Sequence, residues 1–288
     1  MTRPRGFLYG WEPNDRTAGL IGTVNDILDD NRDILPLTLR QIFYMLVSNH
    51  AYDKTEKAYK RLCENMNRAR RAKLVSMSSI RDDGLTQLGS RGWASEAELV
   101  DGFKSAAEHF TLDRQAGQDL KLFIWCEAAG MAPQLASAVD EYQVPVYSSG
   151  GFDSVTTKHS IARRFSRAGN ALVFHLGDHD PSGVHMFSSL DEDLQAFLEH
   201  YGGDVEMVRL AVTPEQVDRM DLPTAPPKRT DNRSFEGETT QCEAIPPRTL
   251  REIVREAVRD RLDMDAYNAT LEEEIEIRER LAERLADL

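Results

Sequence analysis

Between residues 122 and 212, short apolar runs alternate with helical periodicity, and this constrains the fold more than any other feature. Leu122–Cys126, Val144–Tyr147, Ala171–Leu176 and Glu206–Val212 read as buried strands. The segments between them, Met131–Tyr142, Thr156–Arg167 and Val184–His200, carry the spacing of helices. Strands that alternate with helices predict a parallel sheet covered on both faces, an α/β fold. A chain of 288 residues has room for such a domain and a smaller one beside it.

The N-terminal third reads differently. Apolar residues at helical spacing fall in Thr17–Leu28, in Leu39–Val47 behind Thr38 as N-cap, and in Lys54–Lys73. From Arg40 to Arg81 there are ten Lys and Arg against three acids, a local balance of +7 in a chain whose net charge is -13. The overall balance argues against a generic nucleic-acid binder. Screening within about 10 Å lets a basic patch hold a phosphate backbone all the same. Short helices with one basic face suit a helix-turn-helix or winged-helix module, or simply a solvated face.

Residues 82–119 are polar, with helical hints over Glu96–Phe110, and read as a link between two modules. The stretch after Val212, with Pro223, Pro226, Pro227, Pro246 and Pro247, reads as an extended loop, mobile in part. The last 40 residues read as helical, and Leu271, Ile275, Leu281, Leu285 and Leu288 form an incomplete stripe for packing or dimer contact. Domain boundaries are set at 1–110, 111–250 and 251–288. Three cysteines, odd in number and without close pairs, disfavour a disulfide framework or a cysteine zinc site. No apolar run is long enough to span a bilayer, and Met1–Gly10 lacks the apolar core of a secretory signal. A reducing cytoplasm is the expected location, without membrane association.

Three acids sit where parallel sheets place their ligands, beyond the carboxyl ends of strands. Glu127 follows the first strand, and Asp178 and Asp180 follow the third in Gly177-Asp178-His179-Asp180-Pro181-Ser182-Gly183. Residues two apart on an extended chain face the same way, so the two Asp are expected to converge. Glu127 joins them if its strand is a neighbour, since strands lie about 4.8 Å apart. Three hard oxygen ligands suit Mg²⁺ or Mn²⁺. Asp180 ahead of Pro181 also reads as a helix N-cap. His179 between them faces away and reads as structural. Ser148–Gly151 is a turn able to approach phosphate, and Lys158, Arg163 and Arg164 are candidates for a DNA backbone.

An acid after one strand and Asp-x-Asp-Pro-x-Gly after a later one resembles the Toprim domain, the metal-binding fold of topoisomerases, primases and some nucleases. Thr38-Leu39-Arg40-Gln41-Ile42-Phe43-Tyr44 is similar to the catalytic helix of the topoisomerase VI A subunit and its meiotic double-strand-break relatives. In that family a winged helix precedes Toprim. The chain differs from it in carrying Ala128 where a Lys is usual and Phe43-Tyr44 where Tyr-Tyr is common, and in being shorter. The resemblance implies a DNA-cleaving transesterase in which Tyr44 is the nucleophile and forms a 5′-phosphotyrosyl link. Arg40, four residues earlier on the same helix face, would stabilise phenolate or phosphate. Glu127, Asp178 and Asp180 would hold Mg²⁺ or Mn²⁺. It further implies double-stranded DNA as substrate, a homodimer whose protomers share each site, an ATPase partner subunit for strand passage, and nucleoid association. Two alternatives stand beside it: a Toprim nuclease hydrolysing DNA with metal-bound water, and a non-catalytic DNA-binding assembly factor.

Overall fold

The computed structural model describes residues 7–81, 92–148, 155–227, 233 and 235–286. The N-terminal unit is built from α1 (Asp15–Asp30), β1 (Leu37–Thr38), α2 (Leu39–Asn49), α3 (Glu56–Arg71) and β2 (Ile80–Arg81). Thr38 starts α2 with a reciprocal cap: its hydroxyl accepts from the Gln41 N–H at 3.1 Å, and the Gln41 side chain accepts from the Thr38 N–H at 2.8 Å. Thr55 caps α3 through the Ala58 N–H. Both caps follow from a hydroxyl residue placed just ahead of a periodic run. The helices close over Val24, Ile42, Leu46, Leu62 and Met66, all fully buried. β1 and β2 pair in parallel over two residues. No wing hairpin occurs among the described residues.

α4 (Glu96–Glu108) then leads to the α/β unit, with β3 (Lys121–Cys126), α5 (Ala132–Ala138), β4 (Val146–Ser148), α6 (Val155–Ala168), β5 (Asn170–Leu176), α7 (Pro181–Tyr201), β6 (Asp204–Ala211) and α8 (Pro214–Arg219). α9 (Pro247–Arg259) and α10 (Met264–Leu285) complete the chain. The four strands form one parallel sheet in the order β4-β3-β5-β6. Alternate residues feed two cores. Leu122, Ile124, Leu172 and Phe174 pack under α5 and α9, while Phe123, Trp125, Ala171 and Val173 pack under α6 and α7.

Three sequence expectations change. Met131–Tyr142 is a short helix, Ala132–Ala138, plus a 3-10 turn at Asp140–Tyr142, although Val139 and Tyr142 keep the apolar spacing and are buried in the core. The 82–119 segment is more than a link: α4 packs on α10, and Arg114 Nη1 meets Glu274 at 2.6 Å with both side chains buried. The Leu112 N–H and Arg278 also converge on Glu274, which holds its carboxyl below the usual range against the cost of burial. The C-terminal stripe is divided. Leu271 packs on the sheet core, Ile275 is exposed, and Leu288 lies outside the described residues.

The strand order decides where a site belongs. From β3 the chain runs outward to β4, then returns past β3 to β5 and continues to β6. The crevice beyond the carboxyl ends of β3 and β5 is therefore the topological switch point of the sheet. Register places Cys126 opposite Leu176, so Glu127 and Gly177 leave the sheet side by side. Among the described residues, no helix is long and apolar enough to cross a membrane.

Candidate functional site

Glu127, Asp178 and Asp180 all lie at this switch point, and each carboxylate has a different local role. The Glu127 N–H continues the sheet to the Leu176 carbonyl at 2.9 Å. Its carboxyl group then lies directly over Gly177, where a Cβ would overlap it. A side chain there would have to push the carboxyl aside. Glu127 Oε1 stands 3.2 Å from His175 Nε2 but lacks the alignment of a hydrogen bond and is buried without a partner. His175 is 1% exposed, and burial pulls its pKa below the ordinary value against the opposing pull of Glu127.

Asp178 Oδ1 accepts the Cys242 N–H at 2.9 Å. Desolvation pushes the Asp178 carboxyl up to about 7; the Cys242 amide opposes this, and Glu243, Asp180 and Glu127 add to it. Asp180 Oδ1 accepts the Gly183 N–H at 2.7 Å, making Asp180 the N-cap of α7 ahead of Pro181. Gly183 is glycine for steric reasons, since a Cβ there would run into the Asp178 carbonyl.

The three acids therefore share one neighbourhood without forming a ready cage. Among the described residues, no group of three His, Cys, Asp or Glu side chains is placed to hold a metal ion. The backbone stays extended through Asp180, and each Asp carboxylate is engaged by a backbone amide, Asp178 by Cys242 and Asp180 by Gly183. In kind, the donors still suit a hard divalent ion. An orphaned Glu127 oxygen, and an Asp178 carboxyl whose pKa is raised by desolvation and then by its acidic neighbours, both lack the positive charge such an ion brings.

The cation that is present is Arg209 of β6. Its guanidinium donates to the carbonyls of Gly177 at 3.0 Å, Val212 at 3.1 Å, Gly183 at 3.3 Å, and also Asp178. It fastens both ends of the Asp-x-Asp turn. Desolvation lowers its pKa, opposed by Glu127, Asp178 and Asp180. Sequence reading passed over it inside an apolar strand, although a lone Arg in such a run was itself a signal.

Tyr44 comes from α2. It is 6% exposed, and its hydroxyl donates to Gln241 Oε1 at 2.5 Å. Its ring meets Phe43 edge-on, and Lys54 Nζ stands 5.9 Å from the ring centroid. Desolvation raises the phenol well above its ordinary value, Arg40 lowers it, and Glu243 and Asp178 raise it further. Burial alone would lower the Arg40 pKa, but Glu243, Tyr59 and Tyr44 together raise it. The Arg40 guanidinium lies 5.4 Å from the Tyr59 ring centroid. Burial raises the Glu243 carboxyl against the pull of Arg40.

A cleft of about 760 Å³ joins the two halves, with Arg40, Tyr44, Lys54 and Tyr59 on one wall and Asp180 and Gln241 on the other. The resemblance implied that tyrosine and acids meet across a dimer; here Tyr44 and Asp180 border one cleft within a single chain. The segment expected to be a loose loop supplies this wall. Thr240, Cys242, Ala244 and Ile245 are buried in it.

Other candidates lie elsewhere. Lys158 is buried and paired with Asp193 at 2.5 Å, so it is not offered to a DNA backbone. Arg163 and Arg164 lie over the rings of Tyr201 and Tyr147. His179 packs its ring on Phe235, 5.0 Å between centroids. Beyond Ser148, the Ser148–Gly151 turn lies outside the described residues. Compared with known proteins, the chain matches no protein-family model and no curated protein.

Proposed function

We propose that this chain cleaves double-stranded DNA by transesterification, with Tyr44 as nucleophile and the Glu127–Asp178–Asp180 neighbourhood as the electrostatic half of the site. The observation that carries the reading is the single cleft bordered by Tyr44 and Arg40 of the N-terminal helices and Asp180 of the sheet unit. The Tyr44 oxygen bonds to phosphorus, the strand's 3′ oxygen leaves, and a 5′-phosphotyrosyl link remains. Arg40 stabilises charge on the phosphate or phenolate. Lys54, over the Tyr44 ring, adds positive potential to the cleft. The phenolic proton would pass to Glu243, which lines a second pocket of about 270 Å³ together with Tyr44, once the hydroxyl leaves Gln241. Glu127, Asp178 and Asp180 would hold Mg²⁺ or Mn²⁺ once the Asp side chains reorient, and the ion would supply charge neutralisation at the phosphate.

In this reading the α1–α3 unit is the winged-helix-type DNA-binding module, and the sheet is of the Toprim type. A homodimer would pair two cuts, an ATPase subunit would be required for strand passage, and the protein would work at the nucleoid. A second reading is favoured by the bond from the Tyr44 hydroxyl to Gln241 and its burial. There Tyr44 is a satisfied structural residue and the acids serve metal-dependent hydrolysis.

The deciding experiment is cleavage of supercoiled plasmid with Mg²⁺ or Mn²⁺, stopped with SDS and analysed with and without protease. Ends that carry protein until protease removes it, and that vanish in Tyr44→Phe, support transesterification. Free ends made equally by Tyr44→Phe support hydrolysis. No cleavage with either ion removes both readings for the isolated chain.

A further inference from the structure

Gln241, Cys242 and Glu243 are consecutive, and each addresses a different part of the candidate site. Gln241 Oε1 holds the Tyr44 hydroxyl at 2.5 Å. The Cys242 N–H holds Asp178 Oδ1 at 2.9 Å. Glu243 is the acid that acts most strongly on Arg40. The 3-10 turn that carries them, Cys242–Ala244, is embedded in both halves of the molecule: Cys242 and Ile245 belong to the core under the sheet, Ala244 to the core of the N-terminal helices. Upstream, Thr240 exchanges backbone hydrogen bonds with His179 at 2.9 and 3.0 Å, and Thr239 with Ala225 at 2.7 and 2.9 Å. A segment fixed at so many points cannot shift at one contact and stay still at the next.

We infer that Gln241 is a positioning residue for Tyr44, and that residues 239–245 act as a strap through which a change at Asp178 is felt at the tyrosine hydroxyl. The catalytic half of this inference rests on the proposed role of Tyr44 as nucleophile; the strap itself does not. A neutral amide oxygen accepts the phenolic hydrogen bond but cannot keep the proton. Gln241 therefore orients the hydroxyl and holds it neutral until the cleft is occupied. Because the adjacent residue reports the position of Asp178, the nucleophile is in register only when the acid loop is in place.

The test reads Tyr44 directly. The chain has eight tyrosines, so ¹³Cζ-tyrosine labelling gives a short spectrum in which Tyr44→Phe assigns the resonance. Asp178→Asn removes charge but keeps an acceptor for the Cys242 N–H, whereas Asp178→Leu keeps the side-chain shape without the acceptor. Spectra are taken where Asp178 is ionised, and the other resonances report that each variant is folded. The expected result is a shifted Tyr44 resonance in Asp178→Leu and in Gln241→Leu, and a much smaller shift in Asp178→Asn. Equal shifts in the two Asp178 variants mean that Tyr44 feels charge alone, and overturn the strap. So does an unmoved resonance in Asp178→Leu.

The catalytic half is read as covalent adduct formation. Gln241→Leu should slow it about 10-fold or more, the scale of a misplaced reacting group. Gln241→Glu, which keeps an oxygen at the same reach, should restore much of the rate. An unchanged rate in Gln241→Leu overturns the positioning role. Absence of adduct in the unmodified chain instead overturns Tyr44 as nucleophile, and the resonances still decide the strap.

Discussion

Asp178→Asn should make this protein more stable at neutral pH while removing its proposed activity. In the fold the Asp178 carboxyl keeps its proton up to about 7, whereas the ordinary value is 3.8. Between those two values the folded chain binds more protons than the unfolded one, so stability falls as pH rises. Below 3.8 both states are protonated and nothing is lost; above about 7 the whole cost is present. At 1.36 kcal/mol for each pH unit the interval corresponds to roughly 4 kcal/mol as a ceiling. We expect about 2–3 kcal/mol, because the Asn side chain also gives up some of its bond to Cys242. For a chain of this size that is a rise in Tm on the order of 4–12 °C at pH 8. The assay is denaturant or thermal unfolding of both proteins from pH 5 to 8.5. The difference between them should widen through this range and level off near pH 8. His175, whose depressed pKa costs stability as pH falls through the same range, is common to both chains and drops out of the difference. Mg²⁺ at millimolar concentration should recover much of the stability in the unmodified chain and little in Asp178→Asn. A difference that stays flat with pH, or an Asn variant less stable at pH 8, would refute the account of Asp178 as a carboxylate short of positive charge.

Tyr44→Phe should lose about 1 kcal/mol, because Gln241 Oε1 is left without its donor, and should form no protein–DNA adduct; melting curves and the SDS assay read the two effects. Gly177→Ala should displace the Glu127 carboxyl that lies over it, costing about 1–3 kcal/mol and at least 10-fold in cleavage, measured by unfolding and plasmid nicking. Arg209→Met removes the donor from the carbonyls of Gly177, Asp178, Gly183 and Val212 and should cost about 2–4 kcal/mol; it should also raise the Asp178 pKa above its present value, visible by carboxyl ¹³C titration.

The sheet and the neighbourhood of its acids were legible because their signals are local. An apolar run of five or six residues followed by helical spacing leaves few folds open, and in such folds the acids that end two adjacent strands must meet. What the side chains do on arrival was less legible. Two-residue alternation holds through Asp180, where the chain is still extended, but it does not reveal that the Cys242 and Gly183 amides engage the two carboxylates. Lys158 read as a surface cation because periodicity does not reveal that Asp193 waits on the neighbouring helix. The segment around Gln241 read as a loop from its prolines. The short run Cys242-Glu243-Ala244-Ile245 was the sign of burial, but nothing local could tell that it lies between two cores.

The contact from Tyr44 to Gln241 spans 197 residues of chain. A ribosome adding about 5–20 residues per second needs roughly 10–40 s to travel that distance. Throughout that time the basic helices and the tyrosine are already made, while the strap that would align them has yet to be translated. If the proposed function holds, a nascent chain of this kind carries the groups for breaking DNA without their alignment. Under the proposed function, synthesis order itself becomes a safeguard, and competence arrives only once Gln241 has been made.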